Sequence, residues 1–67
     1  MNLTDVMSRL YDSEINCGIS CFWDGGWDVW LGDDMNGHVA DTEIEQEPDA
    51  FAMAAKWLDA TARERYP

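Results

Sequence analysis

Nine carboxylates, Asp24, Asp28, Asp33, Asp34, Asp41, Glu43, Glu45, Glu47 and Asp49, stand in one stretch with no lysine or arginine among them. Acids at this density can hold a metal, share a proton in a hydrolytic pair, or match the charge of a basic partner. The metal option is poorly supplied. Asp34, Asn36, Gly37 and Glu43 fall at ligand and turn positions of a calcium-binding loop, but its first position would be Gly32, which has no side-chain ligand. A zinc site needs four ligands, and His38 is the only histidine beside Cys17 and Cys21. In one extended strand those cysteines would lie roughly 13 Å apart, too far to bridge, so free thiols are expected. His38 has no serine or cysteine motif near it. A hydrolytic carboxylate pair needs a pocket that so short a chain hardly provides, and no glycine-rich phosphate loop exists. The expectation is a protein without catalytic residues, metal or cofactor.

Charge matching remains. The flanks are nearly balanced, with Asp5, Asp12 and Glu14 against Arg9 on one side and Asp59 and Glu64 against Lys56, Arg63 and Arg65 on the other, so the net charge of −10 sits almost wholly in the middle. That segment is no floppy tail, because Trp27, Val29, Trp30, Leu31, Val39 and Ile44 are threaded through it. Like charge gathered on a folded element opposes folding, which points to a partner. Direct nucleic-acid binding is disfavoured by the sign, and no apolar run is long enough for a membrane span. The N-terminus lacks a basic start followed by an apolar stretch, so a cytoplasmic protein is expected.

Sixty-seven residues suit a single domain, 1–67, whose core must use most of its apolar side chains. Leu3, Val6, Met7, Leu10 and Tyr11 have the spacing of one helical face. Asn2 or Thr4 can cap that helix, Asp5 suits its dipole, and it should stop near Asn16–Gly18. From Ile19 the period becomes two. Ile19, Cys21 and Trp23 alternate with Ser20, Phe22 and Asp24; Trp27, Val29 and Leu31 alternate with Asp28 and Trp30. A hairpin loop Asp24-Gly25-Gly26 sets Trp23 opposite Trp27, Cys21 opposite Val29 and Ile19 opposite Leu31. Asn36-Gly37 signals a second turn, and a third strand follows from about His38 to Glu45. Pro48 fits the first turn of a closing helix, with Glu47 and Asp49 favourable at its N-terminus. Phe51, Ala54, Ala55, Leu58 and Ala62 would form its inner face, widened by Ala50, Met53 and Trp57. The predicted architecture is α+β: α-β-β-β-α, a three-stranded antiparallel meander with two helices packed on one face.

The uncovered face would then carry Ser20, Phe22, Asp24, Asp28, Trp30, Val39, Asp41, Glu43 and Glu45. Side chains two apart on a strand lie roughly 6.5–7 Å apart, close to the spacing of successive phosphates on a nucleic-acid strand. A carboxylate row of this kind can sit in a groove built for phosphates. Acids on an open face are also ordinary solvated surface that deters aggregation. Exposed Phe22 and Trp30 within the charged rim would be interface anchors, unless a terminus covers them. The candidate partner-binding set is Phe22, Asp24, Asp28, Trp30, Asp33, Asp34, Asp41, Glu43 and Glu45. Glu47 and Asp49 have a sufficient explanation in the helix dipole.

The run Cys21-Phe22-Trp23-Asp24-Gly25-Gly26-Trp27-Asp28-Val29-Trp30-Leu31-Gly32-Asp33-Asp34-Met35-Asn36-Gly37, with the closing Lys56-Trp57-Leu58, resembles small phage and prophage proteins. The likeness covers about residues 19–67. Size, acidity and layout also resemble an anti-CRISPR inhibitor of the type I-C class. That resemblance implies a DNA mimic in the bacterial host cytoplasm, and a monomer is expected. It would bind the basic site where a type I effector's large subunit reads the protospacer-adjacent motif. It implies no catalytic residues. The strand–Asp-Gly-Gly–strand–helix pattern is loosely similar to HicB-type antitoxins as well, which would make the chain a neutraliser of a neighbouring toxin. A third possibility is a phage accessory protein that self-assembles through Phe22 and Trp30.

Overall fold

The strand Gly26–Leu31 shows how this chain divides its residues. Its odd positions Trp27, Val29 and Leu31 point to one side and its even positions Asp28 and Trp30 to the other. Val29 and Leu31 are completely buried. The computed structural model describes residues 1–45 and 48–67; the expected role of Glu47 at a helix N-terminus lies outside the described residues. The elements are α1 (Leu3–Asp12), β1 (Cys17–Phe22), β2 (Gly26–Leu31), β3 (Ala40–Ile44) and α2 (Ala50–Arg65). The strands form an antiparallel sheet in the order β1-β2-β3. Helix α2 packs on β2 and β3, while α1 packs on β1 and on α2. The α+β meander with both helices on one face is therefore the fold. Among the described residues no helix is long and apolar enough to cross a membrane.

The core joins Val6 and Leu10 of α1 with Val29, Leu31 and Ile44 of the sheet and Ala50, Ala54, Ala55, Leu58 and Ala62 of α2. Small side chains on α2 let that helix lie close to the sheet. Its inward stripe follows Ala50, Ala54, Leu58 and Ala62, so Phe51 falls one position round the helix. Contrary to expectation Phe51 is half exposed, with its ring edge-on to Trp27 at 5.0 Å. Pro48 lies before the helix rather than in its first turn, and Asp49 takes the N-cap position without a side-chain cap bond. Tyr11, expected on the inner face of α1, is also exposed.

Two turns differ from the predicted ones. Helix α1, capped by Asn2 accepting from the Asp5 N–H at 2.9 Å, ends at Asp12 because Glu14 adopts left-handed backbone, φ 62°. β1 consequently starts at Cys17 rather than Ile19 and takes in Gly18. At the hairpin the loop is Trp23-Asp24-Gly25, closed by the Gly25 N–H donating to the Phe22 carbonyl at 3.0 Å. Gly26 belongs to β2. It needs φ 83°, and a Cβ there would lie 2.7 Å from the Ile44 carbonyl oxygen, so glycine is placed where β3 crosses close by. The register moves by two: Cys21 pairs with Trp27, Ile19 with Val29 and Cys17 with Leu31. An even shift preserves the faces but expels Trp23, which is 96% exposed at the hairpin tip.

Two polar contacts tie the ends together. Asp59 of α2 accepts from both Arg63 (3.1 Å) and Arg9 of α1. The Tyr66 hydroxyl donates to the His38 carbonyl at 3.0 Å, fastening the C-terminal residues to the β2–β3 connection. Beneath that contact Gly32 has φ 76°, and a Cβ would collide with the His38 carbonyl and the Tyr66 hydroxyl.

Gly32→Ala should lower unfolding free energy by at least about 1–3 kcal/mol, the cost of forcing alanine into left-handed backbone, as read by urea denaturation followed by circular dichroism. The hydrogen bond from Arg63, then that from Arg9, holds the Asp59 carboxyl below its ordinary value. Its contribution to stability is therefore present above the usual carboxylate range and lost as pH falls through the lowered value. The melting-temperature gap between the native chain and Asp59→Asn should be widest near neutrality and close as the pH drops through that window.

Candidate functional site

Period-two alternation brings together on the open face Gly18, Ser20 and Phe22 of β1, Asp28 and Trp30 of β2, and Asp41 and Glu43 of β3. Asp28 stands directly opposite Glu43, and Trp30 opposite Asp41. Like charges facing each other across a ladder are destabilising. No cation relieves them locally, because Arg9 lies on α1 and Lys56, Arg63 and Arg65 on α2. Two of these four bases, Arg9 and Arg63, are already engaged by Asp59. The molecule is thus polarised: all its bases sit on the helices, while the charged residues of the strands are acids alone.

Two shallow cavities mark the ends of the acidic face. Toward the hairpin tip, Asp24, Asp28 and Glu43 surround Phe22 around about 410 Å³. Toward the β2–β3 turn, Asp34 and Asp41 join Trp30, Met35 and Val39 around about 420 Å³. Each cavity combines aromatic surface with carboxylates, the mixture a basic partner could cover. Phe22 is half exposed as expected. Trp30 is only partly exposed, and its indole lies across β1, where a Cβ on Gly18 would be 2.6 Å from the ring. Gly18 is the seat for this tryptophan, a role not apparent from sequence, where it reads as a helix terminator.

The other nominated acids are not equivalent. Asp33 lines the second cavity, but its carboxylate is occupied: it accepts from the Asn16 side chain at 2.6 Å and from the backbone N–H groups of Met35 (3.0 Å) and Asn36 (3.3 Å). Asn36 completes this knot by accepting from the Asn16 N–H and donating to the Glu14 carbonyl. Asp33 therefore builds the turn that joins the end of α1 to the β2–β3 connection. Glu45 is exposed but lies just past β3, so the expected row of Asp41, Glu43 and Glu45 is on the ladder only through Glu43. Asp28, expected on this face, stands beside Glu43 as a lateral member, making a patch rather than a line.

Among the described residues no alternative chemistry gathers elsewhere. Cys17 and Cys21 share β1 and are free, and burial pushes the Cys17 thiol up from its ordinary value. His38 sits edge-on to Tyr66 with ring centroids 5.2 Å apart. Among the described residues no group of three His, Cys, Asp or Glu side chains could hold a metal ion.

If Asp28 and Glu43 repel across the ladder, Glu43→Gln should stabilise the fold by about 0.2–1 kcal/mol, with the gain shrinking as salt is added. Thermal melts at low and high ionic strength measure both effects. Comparison with protein-family models, curated proteins and solved structures returned no match.

Proposed function

We propose that this chain is a non-enzymatic inhibitor whose acidic sheet face occupies a basic, nucleic-acid-binding site on another protein. The observation that carries the reading is the opposed Asp28–Glu43 pair, continued by Asp41 on the same face, with all the bases on the helices. Such a pair costs folding energy in the free chain. The cost is recovered when cationic side chains from a partner replace the missing counter-charges.

The scale of the patch suits a phosphate-reading groove. Neighbouring acids along β3 are roughly 6.5–7 Å apart and those across the ladder about 4.5–5.5 Å apart. Arginines and lysines placed to meet phosphates could meet these carboxylates instead, and the partly exposed Trp30 and Phe22 would add apolar contact beside them. With its resemblance to type I-C anti-CRISPR inhibitors, the chain's proposed target is the surface by which a type I effector complex reads the protospacer-adjacent motif. That places its action in the bacterial cytoplasm.

The test is to titrate the protein into a purified, guide-loaded type I-C effector complex and measure binding of labelled target duplex. Duplex binding should be lost as the protein is added, and the inhibition should weaken steeply between low and moderate salt. Asp28→Asn, Asp41→Asn and Glu43→Gln should each reduce inhibition by roughly tenfold, in line with about 1.4 kcal/mol for a lost charge-assisted contact. Asp5→Asn and Glu64→Gln should leave it unchanged. Duplex binding that is indifferent to the native protein would overturn the proposed target; inhibition equally sensitive to all five substitutions would overturn the proposed face.

A further inference from the structure

The two edges of the sheet are defended very differently. β3 is five residues long and carries Asp41 and Glu43, which discourage another strand from pairing there. β1 is six residues long, Cys17-Gly18-Ile19-Ser20-Cys21-Phe22, with no charge and no proline. In a chain where 27% of residues are charged, this edge strand is left without protection. Beyond its C-terminal end stands Trp23, 96% exposed. Beside its N-terminal end a cavity of about 530 Å³ opens between α1 and the residues entering the strand, walled mainly by Met7, Tyr11, Ile15 and Cys17, with Asp12 and Asn16 in its polar lining.

These features are complementary under one symmetry operation. We propose that the chain forms a two-fold homodimer by antiparallel pairing of β1 with β1 of a second copy, each Trp23 seating against the other copy's α1–β1 cavity. Antiparallel pairing of identical strands sets the C-terminal end of one against the N-terminal end of the other. To keep apolar sides aligned, paired residues must be of the same parity. Pairing centred on Ile19 brings Trp23 beside Ile15 of the second copy; centring on Ser20 brings it beside Cys17. Either register delivers the indole to the wall of the cavity. The contact occurs twice, once in each direction.

The occupant is a second copy rather than a basic strand because the edge itself offers no charge to complement. Its apolar projection and its mostly apolar recess sit at opposite ends of one strand, an arrangement that closes on itself by two-fold symmetry. Two seated tryptophans bury about 300–500 Å² of their own surface, a substantial part of the roughly 1,200 Å² of a stable interface. Pairing of the six-residue edges and the cavity walls contribute the remainder. The acids on β2 and β3 stay off the junction. The dimer would be a six-stranded sheet with both acidic faces on the same side and all four helices on the other. Dimerisation does not require that the acidic face have a basic partner, and it departs from the monomer expected at the outset.

Sedimentation equilibrium across 1–200 µM, at low and at physiological salt, tests the proposal. The native chain should approach twice its 7.6 kDa mass as concentration rises. Added salt should strengthen association, because it screens the net charge of −10 on each copy. Trp23→Ala, at a solvent-exposed turn position, should remain monomeric throughout with an unchanged far-ultraviolet circular dichroism spectrum. Ser8→Arg, on the exposed α1 wall of the same cavity, should do likewise. A native chain that stays monomeric to 200 µM overturns the proposal, and so does a dimer that survives both substitutions.

Discussion

The fold depends on the two-sidedness of β2. As the central strand it is paired on both edges, so its register decides which residues of β1 and β3 share each face. Trp27, Val29 and Leu31 turn toward the helices, and Asp28 and Trp30 turn away. Because the side-chain period in a strand is two, no continuous adjustment between these arrangements exists: a slip by one residue would bury Asp28 and expose Val29 and Leu31. Burying an unpaired carboxylate is far more costly than any contact this small core could supply in return. The apolar positions of β2 thereby create the acidic face as the unavoidable reverse of the core.

The same constraint explains the distribution of charge and aromatic surface. Four of the ten core residues are alanines on α2, while Trp23 and Phe22 stand outside at the hairpin and Trp30 rests on the outer side of β1 over Gly18. A chain of this length cannot enclose four tryptophans and still cover its sheet with two helices. Large apolar groups left at the surface are the usual material of interfaces. The bases are gathered on the helices, where Asp59 draws Arg9 and Arg63 together and joins α1 to α2. Stability on one side and an uncompensated field on the other are consequences of one segregation.

Much of this was legible in the residues. Alternation identified the three strands, and it assigned Asp28, Trp30, Asp41 and Glu43 to the face away from the helices, because parity survives an even error in register. The hairpin register itself was not legible. Asp24-Gly25-Gly26 reads naturally as a loop, but the close passage of β3 requires Gly26 in the strand, and only the third strand reveals that requirement. Trp23 and Cys21 moved to the surface for this reason. Phe51 was misplaced because hydrophobicity favours the larger side chain, whereas the tight approach of α2 favours Ala50. Asp33 looked equivalent to Asp34 in the sequence; long-range contacts with Asn16, twenty residues from Asn36 along the chain, make it the turn's organiser.

Under the proposed function the acidic face and a nucleic acid compete for one basic surface. The most direct measurement is native mass spectrometry of a type I-C effector complex mixed with both target duplex and this protein at saturating concentrations. Competition should give two populations, effector with duplex and effector with protein, whose proportions follow the ratio of the two ligands. A ternary assembly carrying duplex and protein together would contradict it.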